Sequence, residues 1–357
     1  MKRIYKIITI VVIFGLFSFS VAANEIQDDY ISEFDKILPD GYESLAGVEE
    51  NSLVGIDAVI SIIADGILGE RGALGTFFLL LIGILTLSHL SSFYSGPLSD
   101  TAGDAVAIVS SILILNSLYP TFLSAMDTVK ELSSFFALAV PIMTGITLSG
   151  GGVSTAAVEA VGMNFTVSII GALASGAFVS LAAFAFSVSL VSSFGDESAA
   201  SLLRGLRSLV GWLIGILTTL FLGTLSLQTV ISSARDGAAI RAAKYAAQGI
   251  IPIVGGTVSG ALSTLVGGLS YAKDIVGSGA VTVLLLSSLS PLVIMLFYRL
   301  VLSLVASFAD TLSATAVTRT LSAFRFATDT VIVIYSLSVL TYIFEIILFM
   351  KGGVGPL

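Results

Sequence analysis

Residues 330–350 read TVIVIYSLSVLTYIFEIILFM, an apolar stretch in which Glu345 is the only charged side chain. The 21 residues would extend about 31 Å as an α-helix, close to the roughly 30 Å hydrocarbon core of a bilayer. A run this long and this apolar is typical of a transmembrane helix. We therefore predict a membrane span here.

Similar stretches recur along most of the chain. Hydrophobic residues make up 55% of the 357 residues and charged residues only 11%, whereas soluble domains carry about 25% charged residues. This composition predicts an all-α polytopic integral membrane protein, with a helical bundle of seven or eight transmembrane helices in residues 72–357. We expect Pro291 to kink the sixth span. The other candidate spans are Ala73–Leu90, Ala105–Leu123, Leu132–Ser149, Phe165–Phe194, Leu209–Gln228 and Val276–Phe308.

Residues 250–270 leave the number of spans open. The stretch is long enough to cross, but it is rich in glycine, serine and threonine, so it could cross, re-enter or lie buried among other helices. Cytoplasmic loops carry an excess of Lys and Arg. When Lys273, Arg299 and the other cations are counted as loop charges, the inside leads by six to five only if the stretch crosses. This difference favours eight spans but does not decide between seven and eight.

The N-terminal 71 residues differ from the rest of the chain. A basic start, a short apolar run and a small-residue cleavage site predict a signal peptide over residues 1–23, and an uncleaved anchor helix is the alternative. Residues 24–71 hold 12 of the 24 acidic residues, so most of the net charge of −8 lies there. We predict that this segment is extracytoplasmic and docks on protein, either a partner or the chain's own outer face, because anionic headgroups repel it. Its second amphipathic helix would be capped by Ser52 and would carry Val59, Ile60, Ile63 and Ile67 at helical spacing.

The residue inventory argues against an enzyme. The chain has no cysteine and one histidine, which excludes thiolate nucleophiles, cysteine-ligated metals and multi-histidine metal sites. It has no phosphate-binding glycine loop, dinucleotide fingerprint or Gly-x-Ser-x-Gly elbow. His89 lies beside serines at the end of a candidate span, where a lone histidine is more often a tolerated polar end group. We predict no catalytic residue, no cofactor and no metal site.

Ionisable residues in the late spans are candidates for function. Charged groups at membrane depth face protein or water, and they mark pathways or buried ion pairs. Glu345, in the stretch quoted above, is the best candidate for true intramembrane placement. Asp310 and Arg299 lie in or beside the preceding span. Each could serve transport or form a structural pair.

Residues 229–256 form the most distinctive stretch of the chain. Arg241 and Lys244 share one face of a predicted helix, and Pro252 ends it. From Gly256 to Gly268, small residues recur at four-residue intervals and permit close helix packing. An interfacial helix that binds lipid phosphates is the alternative interpretation. The candidate partner-docking or packing residues are Arg241, Lys244, Pro252, Gly255, Gly256 and Gly260.

The same stretch resembles a known protein family. Asp236-Gly237, the run Arg241-Ala-Ala-Lys-Tyr-Ala246 and the run Ile251-Pro-Ile-Val-Gly-Gly256, with Ser259 soon after, resemble stage III sporulation protein AE of endospore-forming bacteria. The resemblance is specific over about residues 195–330, and the layout of signal sequence, outside segment and multi-span body is similar over most of the chain. These motifs have no known catalytic meaning, so the resemblance implies no active site.

The resemblance implies a non-enzymatic component of the sporulation channel, a secretion-like complex that connects the mother cell to the forespore. It implies a location in the mother-cell membrane around the forespore and a need for the protein in channel assembly, in solute passage and in late forespore gene expression. The expected partners are other membrane and ring-forming proteins of the channel operon, the lipid bilayer and a possible homo-oligomer, with no nucleic acid. Two alternatives are a stand-alone secondary transporter or permease and a polytopic subunit of a conjugative secretion system.

Overall fold

Long helices packed side by side make up the structure. The computed structural model describes residues 56–91, 97–149, 152–192 and 255–351, together with 36–37 and helical positions within 201–222. These ranges contain no strand, so the all-α prediction is confirmed for the described part of the chain. The helices are α1 Ile56–Gly69, α2 Arg71–Ser91, α3 Pro97–Ser149, α4 Val153–Ala172, a π-helical turn Leu173–Ala177, α5 Phe178–Ser192, α6 Gly255–Thr311 and α7 Thr315–Lys351.

Five helical stretches among the described residues are long and apolar enough to cross a membrane. They confirm the prediction of a multi-helix membrane protein, whereas the predicted count of seven or eight spans stays a prediction. The five stretches are Arg71–Leu90, Thr101–Ser149, Val153–Val191, Lys273–Thr311 and Thr315–Lys351.

The predicted break between the spans Ala105–Leu123 and Leu132–Ser149 is wrong, because both lie on the single helix α3. Residues 124–131 contain neither proline nor glycine, and Lys130 Nζ lies 2.7 Å from Asp127 Oδ1. An ion pair at this spacing supports a helix. The charged residues that looked like a loop therefore continue the helix instead of ending it.

Two other boundaries also differ from the predictions. Lys273, taken as a loop charge, lies inside α6 and is 1% exposed, because α6 runs unbroken from Gly255 through Pro291 to Thr311. The loop-charge count that favoured eight spans therefore included a buried residue. The span predicted to start at Phe165 begins twelve residues earlier, at Val153, and so includes Glu159.

Helix α7 lies at the centre of the bundle. Half of its span is buried, compared with 28–33% for the other four candidate spans. It packs against α3, α4, α5 and α6. Hydroxyls on its buried faces donate to carbonyls one turn earlier, as Thr328 does to Phe324 and Ser338 to Ile334. These bonds satisfy polar groups that the apolar surroundings would otherwise penalise.

Contacts between helices show which residues lie at the same height, that is, at the same position along the long axis of the bundle. In the antiparallel pair α6 and α7, Tyr335 Oη donates to the Ser288 carbonyl at 2.9 Å. At one end of this pair, the short turn at 312–314 joins the two helices, and at the other end Gly277 lies against Met350. Ring contacts between helices include Phe136 with Tyr342 at 4.9 Å, Phe186 with Phe122 and Phe324 at 6.2 and 6.1 Å, and Phe77 with Tyr298 at 4.9 Å.

A helix follows Ser52, namely α1, in which Ile63 and Ile67 of the predicted apolar face are partly buried but Ile60 is 56% exposed. Gly66 of this helix faces Ser290 of α6 so closely that an added Cβ would lie 2.7 Å from the serine Oγ. The predicted signal peptide 1–23 and most of the acidic segment 24–71, including Ser52, lie outside the described residues. Both boundaries therefore stay predictions.

Candidate functional site

A buried ion pair joins α4 to α6 at the end of the bundle far from the turn at 312–314. Lys273 Nζ lies 3.0 Å from Glu159 Oε1, and the two residues are 1% and 6% exposed. Removing two charges from water costs several kcal/mol per ion, and close pairing offsets that cost only when the geometry is good. A pair this deeply buried therefore constrains how α4 and α6 can be arranged.

Two further helices complete the surroundings of this pair. Thr147 Oγ1, from the last turn of α3, donates to Glu159 Oε2 at 2.7 Å. The ammonium of Lys273 also lies 4.6 Å from the ring centroid of Phe349 in α7, a distance typical of a cation–π interaction. Four helices thus meet at one charged pair.

A second buried carboxylate lies on α7. Glu345 is 0% exposed, and its Oε1 accepts a hydrogen bond of 2.7 Å from Thr166 of α4. Glu159 and Thr166 are seven residues apart on α4, so they share a face and lie about 10 Å apart along it. We call Thr147, Glu159, Thr166, Lys273 and Glu345 the polar cluster.

The sequence of α4 explains how it presents this polar face. Its buried residues recur at intervals of three or four, which is one face of a helix. The remaining positions on that face are small or apolar, so the helix can approach its neighbours closely. The buried residues are Thr155, Ala156, Glu159, Gly162, Met163, Thr166 and Ile170.

The polar cluster has the chemistry of a charged, hydrogen-bonded contact between helices. Its members are two carboxylates, one ammonium and two hydroxyls. Among the described residues, no group of three or more His, Asp or Glu side chains could hold a metal ion. The cluster can hold charge inside the bundle and fix helix positions.

A second, less buried polar contact joins α6 to α7 near mid-height. Arg299 Nε lies 2.9 Å from Asp329 Oδ1, with side chains 39% and 19% exposed. Arg325 extends from α7 to the hydroxyl of Ser303 at 3.4 Å. The guanidinium of Arg207 lies 5.0 Å from the centroid of the Phe326 ring.

The three ionisable residues predicted as candidates for function lie in three different parts of the structure. Glu345 lies in the polar cluster and Arg299 in the mid-height pair, whereas Asp310 is exposed near the end of α6, at the opposite end of the bundle from Glu345. The structure therefore does not bring Glu345 and Asp310 together in one site.

The predicted docking or packing residues fall partly outside the described structure. Arg241, Lys244 and Pro252 lie outside the described residues. Gly255, Gly256 and Gly260 form the first turns of α6. Their role in docking or packing stays a prediction.

Sequence reasoning missed Glu159 and Lys273. Glu159 lies before the predicted span that starts at Phe165 and Lys273 lies in a predicted loop, so neither is predicted to be a buried charge. One feature of the sequence could have drawn attention to Glu159. It is the only charged residue in the stretch from Leu132 to Gly195. A single acid in so long an uncharged stretch predicts a partner on another helix.

Fold and site together define an all-helical membrane protein with a charged, hydrogen-bonded cluster buried between its helices. A family profile described as stage III sporulation protein AE matches residues 45–355, and the chain belongs to that family. The stage III sporulation protein AE of Bacillus subtilis (strain 168) is 25% identical over 294 residues, which cover 79% of this chain and 73% of the relative. No solved structure matches the chain. The resemblance seen in the central stretch is thus confirmed, and the chain is a sporulation protein.

Proposed function

We propose that this protein is a polytopic, non-enzymatic component of the sporulation channel, located in the mother-cell membrane around the forespore. The observation that carries the proposal is the family match over residues 45–355. The channel role itself comes from the resemblance of the central stretch. The five long apolar stretches suit a membrane component of such a complex.

In this role the protein supports channel assembly or solute passage and, through them, late forespore gene expression. Its partners are the other membrane and ring-forming proteins of the same operon, and copies of the chain itself are further candidates. The polar cluster would fix the arrangement of α3, α4, α6 and α7, so that surfaces used for assembly keep their relative positions.

Deletion of the gene in its sporulating host tests the proposal. We expect a late forespore reporter to stay off in the deletion strain and to recover when the wild-type gene is supplied in the mother cell. A reporter that switches on normally in the deletion strain would contradict the proposal. Supplying the gene in the forespore alone is the matched control, and we expect it not to rescue the reporter.

A second candidate function is secondary transport, which the burial of Glu345 favours. A carboxylate that is 0% exposed and accepts a hydrogen bond from Thr166 resembles the acids found along ion pathways. Transport predicts that the purified protein in liposomes moves a solute by itself and that Glu345→Gln abolishes the flux. The channel role predicts no flux from the isolated protein and a sporulation defect in the deletion strain.

A further inference from the structure

Six charged residues lie at one height, about halfway along the bundle. We call Asp65, Glu70, Arg71, Asp127, Lys130 and Glu131 the charged belt. The side chains of Asp127 and Lys130 are 62% and 42% exposed, and the other four residues are exposed. They therefore contact the surroundings of the protein and not its core.

Contacts with α6 and α7 establish that these charges share one height. On α3 they lie between Thr121, which lines a small cavity together with Tyr298, and Phe136, which packs on Tyr342. On α1 and α2, Glu70 and Arg71 lie between Gly66, which faces Ser290, and Phe77, which packs on Tyr298, and Asp65 directly precedes Gly66. The two intervals overlap along α6 between Ser290 and Tyr298, and Ser288, which bonds to Tyr335, lies within one turn of this overlap.

The belt divides the bundle into two halves. The turn half comprises residues 72–90 of α2, 101–126 of α3, α5, 296–311 of α6 and 315–333 of α7. The cluster half contains the polar cluster and comprises residues 132–149 of α3, α4, 273–290 of α6 and 335–351 of α7. The 37 residues of α7 extend about 55 Å, so a hydrocarbon core of about 30 Å covers only one half.

The turn half has the length of a hydrocarbon core. Residues 72–88 of α2 and 105–126 of α3 contain no charged side chain and extend about 25 and 33 Å. Beyond them, at the far end, lie the exposed residues His89, Asp104 and Asp310. Polar groups thus border this half on both sides, as headgroup regions border the hydrocarbon of a bilayer.

The turn half also exposes more large apolar side chains. On α6, Leu296, Leu300, Leu304 and Phe308 are 45–64% exposed at intervals of four, forming an outward stripe, whereas no large apolar residue between 273 and 295 is exposed. In the cluster half, the exposed positions of α4 mix the polar Asn164 and Ser168 with the apolar Val161 and Phe165. Lipid therefore fits the turn half better than the cluster half.

Two arginines lie in the turn half, Arg299 three residues inside its edge on α6 and Arg325 eight residues inside its edge on α7. Arg299 and Arg325 are partly buried, and each has a polar partner, Asp329 and Ser303. Long arginine side chains near the edge of the hydrocarbon can extend their charged ends to the headgroup region. The position of Arg299 is therefore compatible with a bilayer whose edge is at the belt. Arg325, about 12 Å inside that edge, is partly buried and bonded to Ser303, so it faces protein as charged groups at membrane depth do.

We infer that the hydrocarbon core of the membrane surrounds the turn half, that the charged belt lies among the lipid headgroups, and that the cluster half stands outside the hydrocarbon. The polar cluster then stabilises a part of the protein that projects from the membrane. This assignment rests on lengths, exposure and charge, and it holds whether or not the protein belongs to a channel.

The chain contains no cysteine, so single engineered cysteines in the full-length protein test this assignment. Ile112 and Leu138 form a matched pair on α3, in the turn half and the cluster half, with exposures of 54% and 56%. Each Cys variant is labelled with a small fluorophore and reconstituted in vesicles whose acyl chains carry a bromine quencher. We expect Ile112→Cys to lose most of its fluorescence and Leu138→Cys to keep it.

A second pair of labelling positions tests the assignment independently, in case a Cys variant of the first pair does not fold. Phe184 of α5 and Val161 of α4 are 50% and 72% exposed, and we expect acyl-chain quenching at Phe184→Cys only. An Asp127→Cys label should respond to a headgroup quencher and not to an acyl-chain quencher. Equal acyl-chain quenching at both members of each pair, or stronger quenching in the cluster half, would overturn the assignment.

Discussion

At the residue scale, the pair of Glu159 and Lys273 shows how burial changes the energy of a charge. The same two residue types on a surface would contribute less than about 1 kcal/mol. Here both side chains are almost fully buried, so the loss of one leaves the other charged in an apolar environment. The contribution of the pair to stability is therefore most visible when only one of the two residues is replaced.

Glu159→Leu or Lys273→Met alone should lower the free energy of unfolding by about 3–5 kcal/mol, because each leaves an uncompensated buried charge. The double variant should be much closer to wild type. Unfolding of the purified protein by denaturant in detergent measures these values. Lys130→Met, in the exposed pair with Asp127, is the control and should change stability by less than about 1 kcal/mol. Additive effects in the double variant would contradict this prediction.

Thr166→Val should lower the free energy of unfolding by about 1–3 kcal/mol, because Glu345 Oε1 loses a buried hydrogen-bond donor while the side-chain shape is kept. Thr86 is the matched control, since its hydroxyl donates to Gly83 of its own helix at an exposed position. Thr86→Val should change stability by no more than about 0.5 kcal/mol. The same denaturant titration compares the two variants, and equal losses would argue against a special role for the Thr166 bond.

At the element scale, helix continuity explains most differences between expectation and structure. Hydropathy separates the two halves of α3 because Asp127, Lys130 and Glu131 interrupt an apolar run. Charged residues end a span, but they do not end a helix when no glycine or proline is present. Apolar runs were therefore located correctly, while the helix that joins two of them was not recognised.

The packing of α1 on α6 depends on the absence of a side chain at Gly66. Gly66→Leu should push α1 away from Ser290, because even a Cβ would lie 2.7 Å from the Ser290 hydroxyl. Gly69→Leu is the matched control on the same helix, since nothing lies within 4 Å of an added Cβ there. The measurement is the rate at which a thiol reagent modifies Ser290→Cys. We expect a faster rate with Gly66→Leu and an unchanged rate with Gly69→Leu, and equal rates would show that α1 does not cover Ser290.

At the scale of the whole molecule, the antiparallel arrangement of α6 and α7 determines which ends share a side. The short turn at 312–314 joins them, and the contacts of Lys273 with Phe349 and of Arg299 with Asp329 keep them aligned. The start of the α6 span and the end of α7 therefore lie at one end of the bundle. The N-terminal part of α3 and the turn itself lie at the other.

Single cysteines at Asp274 and Lys351 should react with a membrane-impermeant thiol reagent from the same side. Cysteines at Asp104 and Asp310 should react from the opposite side, because a membrane-crossing part of the bundle separates the two ends. All four positions are exposed, so reactivity reports sidedness and not burial. Labelling of sealed, oriented vesicles before and after permeabilisation measures it. Reaction of Asp274→Cys and Asp310→Cys from one side would contradict this arrangement.

Composition and hydropathy alone identified a helical membrane protein, located most of its long apolar stretches and drew attention to Glu345, because these depend on local residue character. The central motif alone pointed to the family. Only the tertiary structure revealed that Glu159 and Lys273 are partners, that Glu345 shares their surroundings through Thr166, and that six distant charges form one belt. Glu159 and Glu345 alone are 186 positions apart in sequence. Proximity between helices arises from side-chain packing across the bundle, and no local pattern in one helix specifies which face of another it will meet.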